Sequence, residues 1–223
     1  MTVSALELAD DCLVLGQRLS EWAARGPTLE EDVALLNLSL DLLGAARTLY
    51  GGLGDEDELA YLRLEPDFRN CLLVEQPNGD FGQTMARQLL YSAWQVLAWQ
   101  SVSTSDDALL AGVAGRAVKE ARYHLDHAAT WVVRLGDGTE ESHRRMQAGL
   151  DAMWPYTYEL FASLDVETDW RATVLPVLVT ATLAEPSTTW RPSGGRAGKH
   201  TEHLGYLLAE LQSLHRAHPG ASW

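Results

Sequence analysis

Residues 117–127 read Ala-Val-Lys-Glu-Ala-Arg-Tyr-His-Leu-Asp-His and lie in the middle of a long helical pattern. In an α-helix Glu120 and His124, four residues apart, lie on one face. The same face carries small residues suited to close helix packing: Ala117, Ala121 and Ala128. We therefore expect this face to point inward, and with it a carboxylate and an imidazole.

Composition narrows the class of protein before any motif is considered. The chain has 223 residues, of which 46% are hydrophobic and 22% charged, and this predicts one globular domain over residues 1–223. The net charge of −14 disfavours nucleic acid and anionic membrane surfaces. No apolar run approaches the roughly 20 residues that cross a bilayer. The N-terminus, with Glu7, Asp10 and Asp11, does not resemble a signal peptide, so we expect a cytoplasmic protein.

Apolar residues recur at helical spacing along most of the chain, and no stretch shows the alternation of a β-strand. The predicted helices are 4–24, 28–50, 81–102, 107–136, 139–161, 169–183 and 201–217, with a short helical stretch at 59–64. Long irregular segments are expected at 65–80 and 185–198, where proline, glycine and asparagine cluster. The pattern predicts an all-α fold, a ferritin-like four-helix bundle core with additional helices, six or seven in total.

A carboxylate-bridged di-iron site would need about four carboxylates and two imidazoles directed inward from four helices, with Glu-x-x-His on two of them. Asp41, among leucines of the second helix, could supply one carboxylate. The third helix, 81–102, contains no Asp, Glu, His or Cys. Glu140 and His143 form a Glu-x-x-His, but in the first turn of a helix, where capping explains them better.

The residue three after Glu120 is Tyr123, so the inward face of residues 117–127 also lacks the iron-binding motif. We therefore predict no metal site in this chain. Asp41, Glu120 and His124 are candidates for a vestigial site. A buried polar network, with Glu120 paired to Arg87 or Tyr91, explains these residues more simply, because buried charges persist only when paired.

Two further features concern surfaces. Tyr91, Trp94 and Trp99 of the third helix have a spacing that does not fit one core stripe, so we expect part of this aromatic surface to face a partner chain. Residues 191–199 include a basic cluster on an acidic chain, which is explained either by a solvated loop or, less simply, by recognition of an anionic group. The cluster consists of Arg191, Arg196 and Lys199.

Five blocks of sequence follow one another along nearly the whole chain: CLVLGQRLSEW at 12–22, LDLLGAAR at 40–47, LLVEQPNGDF at 72–81, KEARYH at 119–124 and HTEHLG at 200–205. Together they resemble the C-subunit family of bacterial phenylacetyl-CoA 1,2-epoxidases. The resemblance implies a ferritin-like fold and a non-catalytic partner of a homologous A subunit that carries the di-iron centre. It also implies a small B subunit and a reductase with FAD and an iron–sulfur cluster. The complex would epoxidise the ring of phenylacetyl-CoA with O₂ and NADPH.

The same resemblance implies that this chain holds no cofactor. Together with the aromatic surface of the third helix, it predicts a homodimer when the chain is isolated. It places Asp67, Phe68, Arg69 and Asn70 where the C subunit would approach the CoA ester. Between Leu160 and Trp170 the chain is shorter than the family pattern, so no contact is carried over there. The alternatives are an autonomous di-iron or manganese enzyme and a helical scaffold without redox chemistry. Iron content tests the former, and co-purification with an iron-bearing relative tests the latter.

Overall fold

The computed structural model describes residues 3–221, and within them the chain is all-α, as predicted, with nine α-helices. These are α1 Ala5–Ser20, α2 Leu29–Leu53, α3 Leu72–Glu75, α4 Phe81–Val102, α5 Ala108–Gly136, α6 Glu140–Met153, α7 Tyr158–Ser163, α8 Glu167–Thr180 and α9 Glu202–Ala217. Glu58–Leu62 is a π-helix, and the 3₁₀ turns are Glu65–Asp67, Trp154–Thr157 and Gly195–Ala197. None of the helices in this described part of the chain has the length and apolarity to cross a membrane.

Capping residues explain why some helix ends were predicted correctly from the sequence. Asp80 accepts a hydrogen bond from the Gln83 N–H at 2.9 Å, and α4 begins at Phe81 as predicted. The number of helices exceeds the predicted six or seven because two short ones, α3 and α7, lie inside segments predicted as loop or as continuous helix. Pro155 divides the predicted fifth helix, since proline cannot donate the backbone hydrogen bond that would continue it.

Residues 4–77, together with residues 193–221, form one compact unit, here called the N-terminal unit. Asn78–Pro192 forms the other, here called the central unit. Each unit contains one pair of long packed helices, α1 with α2 and α4 with α5. Four long helices are the number that a ferritin-like bundle requires. That the whole chain behaves as one domain stays a prediction.

In the N-terminal unit, α1 is buried around most of its circumference. It packs on α2, α3 and α9. The buried side chains from these elements include Leu8, Leu15, Leu19, Leu35, Leu38, Leu73, Leu204 and Leu207. A helix surrounded in this way can hold a charged residue only where an opposite charge reaches it. The buried charges of α1 are therefore expected to have oppositely charged partners.

In the central unit, α4 packs against α5, α6 and α8. Tyr91 and Trp94 are fully buried, and Trp99 is 1% exposed. The premise that part of this aromatic surface faces a partner chain is therefore wrong. Because α4 has neighbours on several sides, aromatic residues on different faces all enter the core. The indole of Trp94 also donates to the Leu160 carbonyl at 3.1 Å, which satisfies its one polar group.

Candidate functional site

Two adjacent aspartates of α1, Asp10 and Asp11, are both fully buried. Because successive residues of an α-helix project about 100° apart, the two carboxylates meet different neighbours. Each pairs with an arginine from a distant segment, Asp10 with Arg63 and Asp11 with Arg196. Both aspartates thus satisfy the requirement that a buried charge be paired.

The Asp10 carboxylate accepts hydrogen bonds from three segments of the chain. Arg63 donates through Nη1 to Oδ2 at 3.0 Å and through Nη2 to Oδ1, and the Arg69 N–H donates to Oδ2 at 2.7 Å. The Tyr50 hydroxyl donates to Oδ1. Burial, and then the charge of Asp10, raises the pKa of Tyr50 well above its usual value, so the phenol keeps its proton. These bonds attach the segment 63–69 to α1.

Asp11 forms a bidentate ion pair with the guanidinium group of Arg196. Arg196 Nη1 donates to Oδ1 at 2.9 Å and Nη2 donates to Oδ2 at 2.7 Å. The Cys71 N–H adds a third bond to Oδ1 at 2.7 Å. Arg196 Nη1 also donates to the Glu7 and Arg69 carbonyls at 3.2 and 2.8 Å. Parallel bonds of this kind add geometric specificity to the charge attraction, so Arg196 joins its own loop to both α1 and residues 69–71.

Glycines allow the loop that carries Arg196 to approach this closely. A Cβ at Gly195 would collide with the Asn70 carbonyl, and one at Gly198 would collide with the Pro66 carbonyl. Gly198 also has a φ of +76°, which residues with a side chain rarely adopt. The glycine-rich run therefore serves backbone packing.

Glu75, at the end of α3, is a third fully buried carboxylate. Its Oε1 accepts from the Thr201 N–H at 2.6 Å and from the Thr201 hydroxyl at 2.7 Å. Its Oε2 accepts from Asn70 Nδ2 at 2.9 Å and contacts His200 Nδ1 at 2.8 Å. Thr201 is the residue immediately before α9. Glu75 therefore ties the start of the last helix to α3.

The His200 ring lies between two acceptors. Nδ1 faces Glu75 Oε2, and Nε2 lies 3.1 Å from the Phe68 carbonyl oxygen. Both ring nitrogens can donate only in the imidazolium form. Burial opposes that charge, but the hydrogen bond and charge of Glu75, the Phe68 carbonyl and the charge of Glu65 outweigh it, so the pKa of His200 is raised. The geometry thus favours a Glu75–His200 ion pair.

This pair predicts a pH-dependent stability. Because the folded-state pKa of His200 is raised, its contribution is fully present below the unfolded value of about 6.5 and is lost as the pH rises through the folded pKa. In urea titrations between about pH 6 and 9, the free energy of unfolding of the wild-type chain should fall with pH more steeply than that of His200→Gln, by up to ~1.4 kcal/mol per pH unit. The control Gln100→Ala, at an exposed position whose side chain does not ionise, should keep the wild-type slope. Equal slopes for wild type and His200→Gln would contradict the ion pair.

The residues expected near the CoA ester belong to this network. Phe68 and Asn70 are fully buried. The Phe68 ring lies under the Arg63 guanidinium at 4.1 Å. Asp67 is exposed and accepts from the Leu64 N–H at 3.2 Å, and Arg69 is half-buried. A CoA contact therefore stays a prediction, and only Asp67 and Arg69 present side-chain surface for it.

The vestigial-site candidates lie on two helices. Asp41 is half-buried on α2. His124 is buried on α5, on the predicted face of small residues, where Ala121 and Ala128 are also buried. Within residues 3–221 no three His, Cys, Asp or Glu side chains are grouped as metal ligands would be.

The predicted pairing of Glu120 with Arg87 or Tyr91 is wrong. Glu120 bonds to Arg116 of the same helix, and its side chain is 19% exposed while that of Arg116 is 79% exposed. Glu120 lies at the edge of the buried face, because α5 is rotated so that the alanines and His124 take its centre. A helical i, i+4 pair of this kind contributes about 0.3 to 0.5 kcal/mol, well below the ~3 to 5 kcal/mol that removing one partner of a buried pair costs.

The three residues of the basic cluster, Arg191, Arg196 and Lys199, have different surroundings. The Arg196 side chain is only 12% exposed and pairs with Asp11, so the expectation of a solvated loop is wrong for this residue. Arg191 lies over the Tyr158 ring at 4.0 Å. Lys199 is exposed. These contacts explain the arginines without an anionic ligand.

These observations define the class of protein. It is an all-α chain with the long helices of a ferritin-like bundle, in which buried carboxylates accept hydrogen bonds from arginine, histidine, tyrosine and backbone donors.

Comparison with known proteins identifies the family. Residues 2–223 match the family described as phenylacetic acid catabolic protein, and the chain belongs to that family. It is 43% identical over 245 aligned residues to the Escherichia coli K12 protein named as the C subunit of 1,2-phenylacetyl-CoA epoxidase. The alignment covers 100% of this chain and 99% of that relative. The resemblance and the ferritin-like fold class predicted from the sequence are confirmed.

Proposed function

We propose that this chain is a non-catalytic subunit of a multicomponent phenylacetyl-CoA epoxidase, in which it supports a homologous di-iron subunit. The name of the Escherichia coli relative and the nearly complete coverage of both chains support this role. A small third subunit and a reductase with FAD and an iron–sulfur cluster, which takes electrons from NADPH, complete the proposed complex.

The non-catalytic part of the proposal rests on the hydrogen-bond donors that already occupy the buried carboxylates. Asp10, Asp11 and Glu75 direct their oxygens at guanidinium, imidazole, hydroxyl, amide and backbone donors. A metal ion at these oxygens would have to displace those donors. In addition, α4 offers no carboxylate, imidazole or thiol over Phe81–Val102. The donor set does not fit a carboxylate-bridged di-iron centre.

An autonomous di-iron or manganese enzyme is the second candidate. It would depend on Asp41, Glu120 and His124, of which Glu120 is already paired with Arg116. Three such residues also fall short of the six or so ligands that a dinuclear site takes. The subunit role is therefore better supported.

Iron content and complex formation test the proposal together. The chain should be expressed with excess iron, alone and with a homologous subunit that has two intact Glu-x-x-His helices. We expect less than about one iron per chain for this protein alone, self-association of the isolated chain, and co-elution with the iron-bearing subunit in size-exclusion chromatography with light scattering. Glu120→Gln is the control and should change neither result. About two tightly bound irons on the isolated chain, lost in Glu120→Gln, would favour the autonomous enzyme instead.

A further inference from the structure

A cavity of about 320 Å³ opens beside α2 in the N-terminal unit. Its volume falls at the lower end of the roughly 300 to 1,000 Å³ range of small-molecule sites. The walls come from α1, α2, the acidic residues 56–57 and the π-helix. The apolar lining residues are Leu13, Leu43, Ala46 and Ala60.

The cavity exists because small side chains face it. Ala46 is 2% exposed and Ala60 is 7% exposed, so both methyl groups lie at its floor, where larger residues would fill the space. Ala60 belongs to the π-helix Glu58–Leu62, a backbone form that occurs frequently at functional sites. None of the buried ion pairs that organise α1 occupies this space.

Two tyrosine rings complete the wall. The Tyr50 hydroxyl already donates to Asp10, so it is the ring of this buried residue that borders the cavity. Tyr61 stands at the rim, where its other side stacks on His215 with ring centres 4.7 Å apart. Tyrosine rings attract cations through the negative potential of their faces.

The charges at the rim of the cavity also favour a cationic ligand. Among the described residues that line the cavity, Arg47 supplies the only positive charge, and Glu56 and Asp57 supply two negative ones. Arg47 Nε donates to both oxygens of Glu56, at 3.2 and 3.0 Å. This pair is neutral, so Asp57 leaves a net negative charge at the mouth. The nearby Arg63, 5.4 Å from the Tyr50 ring centre, is balanced by Asp10.

From this combination we propose that the cavity is a binding site for a small organic cation with an apolar, preferably aromatic, body. The apolar body would fill the space over Ala46 and Ala60, and the cationic group would lie at the rim near Asp57. The site is independent of the proposed subunit role, because it shares with that argument only Tyr50, whose hydroxyl donates to Asp10.

Three probes of one shape and different charge test the proposal on the full chain. They are 2-phenylethylammonium, 2-phenylethanol and phenylacetate, each titrated against the ¹⁵N-labelled protein by NMR. We expect 2-phenylethylammonium to bind with a dissociation constant below about 1 mM and to shift the amide signals of Ala46, Ala60 and Tyr61. The neutral alcohol should bind at least about threefold more weakly, and the anion more weakly still.

Variants separate the contributions of shape and charge. Asp57→Asn should weaken binding of the cation about three- to tenfold and leave that of the alcohol unchanged. Ala46→Leu should abolish binding by filling the floor, and Tyr61→Ala, at the half-buried rim, should weaken it without adding volume. Glu58→Gln removes a neighbouring exposed carboxylate that does not line the cavity and is the matched control.

The proposal fails if the three probes bind equally, if none binds, or if the shifted signals lie elsewhere. It also fails if Glu58→Gln weakens the cation as much as Asp57→Asn does. Should Ala46→Leu not fold, Tyr61→Ala and Asp57→Asn still decide the question.

Discussion

Replacing Asp11 by alanine is expected to lower the free energy of unfolding by about 3 to 5 kcal/mol. The carboxylate is fully buried and accepts two bonds from Arg196 and one from the Cys71 N–H. Its removal leaves the Arg196 guanidinium partly buried without its counter-charge, which costs more than the pair itself contributes. Urea denaturation followed by circular dichroism at pH 7 measures the change.

Two further variants identify the cause of that loss. Glu210→Ala, at an exposed position of α9 in the same unit, should change the free energy of unfolding by less than about 0.5 kcal/mol. Asp11→Leu combined with Arg196→Met should lose less than Asp11→Ala alone, because replacing both charges avoids the unpaired one. A loss below about 1 kcal/mol for Asp11→Ala would mean that water reaches the aspartate and that Arg196 is not essential to the loop.

Glu75→Ala is expected to have a similar cost, about 3 to 5 kcal/mol, and also a local effect. It removes the acceptor of the Thr201 N–H and hydroxyl and the counter-charge of His200. The start of α9 should therefore detach more readily from α3. Hydrogen exchange of the first turns of α9, together with urea denaturation, measures both consequences.

The control for this experiment is Glu202→Ala, in the exposed first turn of α9, where a carboxylate contributes less than about 1 kcal/mol. It should leave exchange in the later turns of α9 close to that of the wild type. If Glu75→Ala unfolds at the same urea concentration as the wild type, or if α9 keeps its protection, Glu75 does not anchor the helix.

Local sequence determined much of the central unit. Both ends of α4, Phe81 and Val102, depend on residues within one or two turns and were predicted, and the structure adds the Asp80 cap that explains the first of them. The buried face of α5 was also predictable, because Ala117, Ala121, His124 and Ala128 repeat with the helical period. Periodicity, however, identifies only the direction of a face. Glu120, one step from that stripe, was assigned to the wrong side of its boundary.

The number of neighbours that a helix has is not a local property. The aromatic residues of α4 have a spacing that fits no single stripe, and the prediction of an external partner followed from assuming one packing side. The structure places α5, α6 and α8 around α4, so that Tyr91, Trp94 and Trp99 all enter the core. Helix packing on several sides, which depends on the whole chain, decided their role.

By itself, the sequence determined the all-α class, the positions of the long helices and the family, because these depend on local periodicity and on blocks of residues that include Glu75 and His200. Only the tertiary structure decided what those polar residues do. Asp11 pairs with an arginine 185 positions away, and Glu75 bonds to Thr201 across 126 positions. No periodic pattern specifies such partners, since the requirement that each buried charge be paired can be met by any residue that the fold brings near.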